Sequence, residues 1–94
     1  MFDIERDDTG TVRMTGRLDA ASADQARRVL EQVDGPCRVD FTRLEYIASV
    51  GLGLLAAAQK RLMAQGYGLT LVGLSPHLRE VLSLAGFEGI FEFE

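Results

Sequence analysis

Ser49 stands where an apolar strand gives way, through a short turn, to a helix. A serine at a helix start can accept hydrogen bonds from free backbone amides and so cap the helix. A phosphate on the same hydroxyl would lie at the positive end of the helix dipole, where several N–H groups point outward. This position can therefore carry a negative charge without unfolding the chain. The residue types alone leave two interpretations open, a plain cap and a phosphorylation site.

Residues for other kinds of chemistry are scarce. His77 is the only histidine and Cys37 the only cysteine, so metal clusters and sets of nucleophile, base and orienting residue have too few members. The chain also lacks a Gly-x-x-x-x-Gly-Lys loop and a Gly-x-Gly-x-x-Gly loop after a strand. We expect a protein that is not an enzyme and that binds no metal and no cofactor.

Length and charge narrow the function classes further. With 94 residues, 47% of them hydrophobic, the chain is expected to form one domain over residues 1–94. Its formal charge of -4 argues against direct DNA binding, which usually requires a basic face. The adjacent basic pairs Arg27-Arg28 and Lys60-Arg61 each fall in a predicted helix. A solvated helix face is the favoured explanation for them, and a basic face toward a partner is the other.

Cysteine usage and hydropathy point to a cytoplasmic protein. Cys37 lies in an apolar strand and has no second cysteine to pair with, which indicates a buried thiol in a reducing compartment. No apolar run is long enough to cross a bilayer, since the stretch from Leu52 to Ala58 is short and is followed by Lys60 and Arg61. We therefore expect no membrane insertion.

Periodicity and turn residues predict an α/β fold with the order ββαβαβαβ, a mixed sheet packed with helices. The Asp7 to Gly10 turn predicts a hairpin, and the later strands, separated by helices, predict parallel crossovers. Ser22 and Gln25 are spaced as a capping box. The predicted strands are Phe2 to Glu5, Thr11 to Thr15, Arg38 to Phe41, Leu69 to Val72 and Ile90 to Phe93, and the predicted helices are Ala23 to Val33, Ser49 to Gly66, and a third with Ser75 as N-cap, Pro76 as N1 and Gly86 as C′.

The helix that begins at Ser49 has an unusual distribution of small residues. At roughly 100° per residue, its apolar core face is expected to comprise Gly51, Leu54, Leu55, Ala58 and Leu62. The opposite side would hold Gly53, Ala56, Ala57 and Lys60. Such a ridge lets another protein approach the backbone closely, with Leu52 and Met63 beside it. The alternative is that Gly51 and Gly53 only relieve crowding at the turn.

Three segments in this order and spacing are similar to a known family. The central segment resembles the motif of STAS domains, the family of bacterial anti-sigma factor antagonists: an aspartate-bearing strand, then Tyr/Phe-Ile/Met-x-Ser-x-Gly-Leu, then a helix. Upstream, Thr15 to Asp19 is similar to the family's Gly-x-Leu-Asp signature, and downstream, Leu69 to Pro76 is similar to its closing strand and helix. The central motif reads Asp40, Tyr46, Ile47, Ala48, Ser49, Val50, Gly51, Leu52.

The resemblance implies a partner-switching cycle. The unmodified form would bind an anti-sigma factor serine kinase and free a sigma factor; phosphorylation of Ser49 would break that complex, and a serine phosphatase would reset it. Asp40 matches a family aspartate and is interpreted as mainly structural, and Asp19 either shapes the turn or acts at the site. The best-known members carry aspartate at the position of Ala48, and its loss is expected to weaken kinase recognition or alter any Mg²⁺ arrangement. The expected partner-binding residues are Asp19, Ala48, Ser49, Val50, Gly51, Leu52, Gly53 and Ala56.

Two other functions are compatible with the same resemblance. One is the STAS subunit of a lipid-transport ABC complex, which would bind its ATPase constitutively. The other is a sensor module that binds a small ligand or a nucleotide.

Overall fold

A computed structural model describes residues 1–94 as a five-stranded sheet with three helices. The predicted order ββαβαβαβ is confirmed. The strands follow one another across the sheet as they do along the chain; β1 and β2 are antiparallel and all later neighbours are parallel. The elements are β1 (Phe2–Arg6), β2 (Val12–Leu18), α1 (Ala23–Glu31), β3 (Cys37–Ile47), α2 (Ser49–Met63), β4 (Leu69–Val72), α3 (Pro76–Leu84) and β5 (Glu92–Phe93).

Alternation along the strands separates a core face from an open face of the sheet. In β2 the buried residues Val12, Met14 and Leu18 alternate with the exposed Arg13 and Arg17. All three helices contribute to a single cluster of 20 buried residues, together with the buried strand residues. The helices therefore cover one face of the sheet, and the opposite face carries charged and polar side chains.

Turn and cap residues act mostly as the sequence predicts. Asp7 organises the β1–β2 turn, because its carboxylate accepts hydrogen bonds from the amides of Thr9 and Thr11. Ser75 caps α3 by accepting from the amide of Leu78 at 3.1 Å. Gly86 has φ of 82° and closes the same helix as predicted, since the left-handed region favours glycine there.

Several boundaries differ from the prediction: α1 ends at Glu31, α2 ends at Met63 and β5 begins at Glu92. Two other strands run further than predicted. β2 continues from Thr15 to Leu18, and β3 continues from Phe41 to Ile47. The two extensions pair with each other in parallel. The pairing register shifts at two points along β2, and at each point β3 contains an extra residue. Asp40 consequently lies within β3 rather than at its end, although it is the last residue of β3 that pairs with β4.

Candidate functional site at the start of helix α2

Ser49 is the first residue of α2 and is exposed to solvent. The predicted cap at this serine is wrong: the N-cap is Ala48, with φ of -90° and ψ of 170°, and no side chain caps the helix. The helical hydrogen bonds begin with the amides of Gly51 and Leu52, which both donate to the carbonyl of Ala48. The amides of Ser49 and Val50 stay outside that ladder, so the helix presents an uncapped, positive end beside an exposed hydroxyl.

Asp19 follows β2 at the same edge of the sheet. Leu18 pairs with Ile47 in the parallel register, and the Ala48 amide donates to the Leu18 carbonyl at 2.8 Å. Asp19 is thus the residue directly after Leu18, whose carbonyl is bonded to Ala48. This register brings the ends of β2 and β3 together. The segments that carry Asp19 and Ser49 follow these two strand ends, as predicted from the sequence.

The Asp19 carboxylate also organises the turn into α1. It accepts a hydrogen bond from the amide of Ala21 at 3.1 Å, and the Ser22 hydroxyl oxygen lies 3.3 Å from it. Ser22 is buried, and its hydroxyl donates to the Arg17 carbonyl at 2.9 Å instead of capping α1. The predicted capping box between Ser22 and Gln25 is therefore wrong, because the serine is used by the β2–α1 turn.

The two glycines of α2 have different surroundings. A methyl group on Gly51 would lie 2.7 Å from Leu18 Cγ and 2.8 Å from Ile47 Cγ1, so this buried glycine allows the helix to pack on the strand ends. Gly53 is exposed and has nothing within 4 Å of its missing Cβ. Crowding explains why a glycine occupies position 51, and we leave Gly51 out of the partner-contact surface. Crowding does not explain the glycine at position 53.

Most of the predicted helix faces are confirmed. Leu55, Ala58 and Leu62 are buried, and Ala57 and Lys60 are exposed on the other side. Leu52, Leu54 and Ala56 are half-buried, and Leu52 packs on the core. Met63 is 58% exposed at the far end of the helix.

Tyr46 and Arg17 lie side by side near the start of α2, a contact that the sequence does not predict. They pair across β2 and β3, and the Arg17 guanidinium carbon lies 4.3 Å from the centre of the Tyr46 ring. Tyr46 and Val50 are each 37% exposed and flank Ser49 along the chain. The motif thus exposes an aromatic ring with a cation held on it, an aliphatic residue and a serine. The register shift that aligns Arg17 with Tyr46 gives no signal in the sequence.

Asp40 has the structural environment that the sequence analysis assigns to it. Its carboxylate accepts hydrogen bonds from the Thr42 hydroxyl at 2.6 Å and the Thr42 amide at 2.9 Å, and it lies 3.6 Å from Arg13 Nε. The Thr42 hydroxyl bond is the main cause that lowers the pKa of Asp40 below its ordinary value, with the Thr42 amide and Arg13 adding to it.

The structure lacks a metal-ligand cluster and a membrane-spanning helix. No three His, Cys, Asp or Glu side chains converge as metal ligands. None of the helices combines the length and the apolar character needed to cross a bilayer.

Known proteins match this chain along most of its length. The family profile described as "Mlab, STAS domain" matches residues 2–92. The predicted anti-sigma factor antagonist BtrV of Bordetella bronchiseptica is 40% identical over 82 residues, which cover 83% of this chain and 71% of that protein. The anti-sigma-B factor antagonist of Listeria monocytogenes is 34% identical over 95 residues, covering 96% of this chain and 83% of that protein.

Solved structures show the same fold. The Bacillus anti-sigma factor antagonist SpoIIAA matches in its unphosphorylated form with a TM-score of 0.73 and in its phosphorylated form with 0.71. Both are 24% identical to this chain, cover 100% of it, and are themselves covered to 87% and 91%. The chain therefore belongs to the STAS domain family, and within that family to the anti-sigma factor antagonists.

Proposed function

We propose that this chain binds an anti-sigma factor that is also a serine kinase, and that phosphorylation of Ser49 ends the binding. The observation that carries the proposal is the exposed Ser49 hydroxyl at the first position of α2, in the motif where the family's phosphoacceptor serine stands. The unmodified chain occupies the anti-sigma factor and frees the sigma factor. A serine phosphatase restores the active form.

The uncapped start of α2 explains how the fold accepts the phosphate. The first turn of the helix contains no acidic residue, and the amides of Ser49 and Val50 are outside the helical ladder. A phosphate of about -1.5 to -2 charge at neutral pH is stabilised by such a helix end. The domain therefore stays folded when it is modified, and the effect of the phosphate falls on the partner.

The surface around Ser49 explains why the partner would be sensitive to the phosphate. Tyr46 and Val50 supply apolar contact area, and Gly53 lets a partner approach the helix backbone. A phosphate in the middle of a close-packed apolar interface acts through bulk, desolvation and repulsion from acidic groups. Asp19, which follows the Leu18 carbonyl bonded to the Ala48 amide, supports the proposal as a carboxylate that would repel the phosphate.

The proposed role needs no catalysis by this chain, which is the substrate and binding partner of the kinase. It acts in the cytoplasm, where sigma factors meet RNA polymerase. A lipid-transport subunit would instead bind its ATPase whatever the state of Ser49. A ligand sensor would require a small molecule for its response.

Two substitutions of Ser49 test the proposal. Because Ser49 is not the cap, Ser49→Ala is expected to change the free energy of unfolding by less than about 0.5 kcal/mol and to bind the kinase normally, yet to gain no phosphate. Ser49→Asp is expected to fold with equal or slightly greater stability, by about 0.3–1 kcal/mol, and to bind at least tenfold more weakly. Thermal melts, titration calorimetry and mass mapping after incubation with kinase and ATP measure these effects.

His77→Asp is the matched control. It places the same charge in the first turn of α3, at an exposed position, and should leave kinase binding unchanged. Phosphate mapped to another residue, or Ser49→Asp binding as tightly as the parent, contradicts the proposal. Tight binding to a transporter ATPase by both Ser49 variants would favour the transport subunit.

A further inference from the structure

A groove of about 220 Å³ runs between α1 and α2 on the helical face of the molecule. Since one water occupies about 30 Å³ of liquid, the groove is far larger than a hydration site. Its floor is apolar, with buried Leu30 and Ala58 and half-buried Leu54. Exposed Ala57 forms part of the wall. The small alanine side chains leave room for side chains of another molecule to enter.

Two arginines and one glutamate line the rim of this groove. Arg27 of α1 and Arg61 of α2 belong to the two basic pairs that lie far apart in the sequence, and Glu31 of α1 lies beside them. Helices α1 and α2 together carry four basic residues and two acidic ones, Asp24 and Glu31, although the whole chain has a charge of -4. The two helices that form the groove are therefore net positive on an acidic protein, and the groove itself is lined by one more basic than acidic residue.

Both arginines are held in place by partners in α1. Arg61 Nη2 donates a hydrogen bond to the Leu30 carbonyl at 2.8 Å, across the end of the groove. Arg27 pairs with Asp24 one turn earlier on α1. A guanidinium has five N–H donors, so each arginine keeps donors for a further carboxylate. Little side-chain ordering is needed when a ligand binds, which favours binding.

We propose that this groove is a docking site for an acidic amphipathic helix of a partner protein. The ridges of two packed helices form a groove that suits a third helix, and such sites bind the apolar stripe of the incoming helix. Glutamates flanking that stripe would reach Arg27 and Arg61. Duplex DNA and lipid headgroups are less suitable occupants, because the groove has an apolar floor and the chain as a whole is acidic.

The Arg61 end of the docking groove lies away from Ser49. Arg61 lies twelve residues after Ser49 in α2, which is about 18 Å at 1.5 Å per residue. Helix binding in the groove therefore does not require Ser49 to be unmodified, and it does not rest on the proposed kinase cycle. Ser49→Asp should leave the affinity of the groove unchanged, which distinguishes failure of one proposal from failure of the other.

The test uses a synthetic, amidated four-turn peptide of leucine, glutamate and alanine, with leucines at i, i+3, i+4 and i+7. Titration into the ¹⁵N-labelled full chain should shift the amides of the groove residues in α1 and α2. The double variant Arg27→Glu, Arg61→Glu should weaken binding at least tenfold. The matched control is Arg43→Glu, an exposed arginine on the open face of the sheet, which should bind the peptide like the parent.

A second variant tests the groove in case the double arginine variant does not fold. Ala57→Met fills the groove from an exposed helix position without altering charge, and should also weaken binding at least tenfold. Three results would overturn the proposal. They are equal binding by a peptide of the same composition in scrambled order, amide shifts confined to residues outside the groove, and normal peptide binding by Ala57→Met. Tighter binding of duplex DNA or of phosphatidylglycerol vesicles through the same arginines would also overturn it.

Discussion

Replacing each of the two α2 glycines with alanine tests whether packing or partner approach explains them. At Gly51 the added methyl would lie 2.7–2.9 Å from atoms of Leu18 and Ile47, against an ordinary carbon contact of about 3.5–4.0 Å. Those atoms belong to side chains that are 0% and 6% exposed, so buried neighbours leave them little room to move aside. At Gly53 the methyl meets nothing within 4 Å.

The magnitudes follow from these surroundings. Overpacking costs typically about 1–3 kcal/mol, and alanine gains up to about 1 kcal/mol over glycine in a helix. Gly53→Ala should therefore be as stable as the parent or up to about 1 kcal/mol more stable. Gly51→Ala should be about 1–3 kcal/mol less stable than Gly53→Ala, because the helix-propensity gain is similar in both and nearly cancels in the comparison.

Urea unfolding with matched m-values and thermal melts measure the difference. For a domain of this size, 1 kcal/mol corresponds to about 4–8 °C in Tm, so the two variants should melt at least about 4 °C apart. Leu18→Ala provides the control, since Gly51→Ala should cost less in that background once the Leu18 Cγ is gone. Equal melting temperatures for Gly51→Ala and Gly53→Ala would refute the packing explanation of Gly51.

Two further perturbations test contacts elsewhere in the fold. Gln59→Leu should lower the free energy of unfolding by about 2 kcal/mol in urea titrations, because buried Gln59 accepts a hydrogen bond from the Leu69 amide and donates one to the Ile90 carbonyl, both at 2.7 Å. The control Gln65→Leu, at an exposed position, should change the free energy of unfolding little. Equal effects of the two substitutions would contradict this reasoning. Asp40→Asn should flatten the acid limb of stability, measured by chemical unfolding between about pH 2 and 6. The folded-state pKa of Asp40 is lowered, so its contribution is complete above about pH 4 and is lost as the pH falls through that lower pKa; an unchanged slope would show that the Thr42 bonds do not persist in solution.

The element order and most helix ends could be predicted because they depend on local chemistry. Ser75 and Gly86 bound α3 through contacts within one or two turns, and β4 has the predicted bounds. The second half of β3 was not predicted because its buried residues, Leu44 and Ile47, are three apart. A strand is predicted from alternation with a period of two, and the register shifts opposite β2 break that period.

The site was only partly predictable for a related reason. The motif selects Ser49, but local preference for a serine cap gives the wrong hydrogen bonds, because Ser49 is already the first residue of the helix and Ala48 is the N-cap. The pairing of Arg17 with Tyr46 and the burial of Gln59 depend on partners far away in sequence. A single sequence carries no direct signal for such contacts.

The order of strands across the sheet has a consequence for biosynthesis. Because every strand pairs with the strand that precedes it in the chain, each segment leaving the ribosome finds its neighbour already made. Leu18, Asp19, Ala48 and Ser49 all precede β4, so the strand pairing that unites the ends of β2 and β3 needs no residue synthesised after α2. Ribosome-bound chains that end beyond Met63 therefore already contain every segment that meets at Ser49.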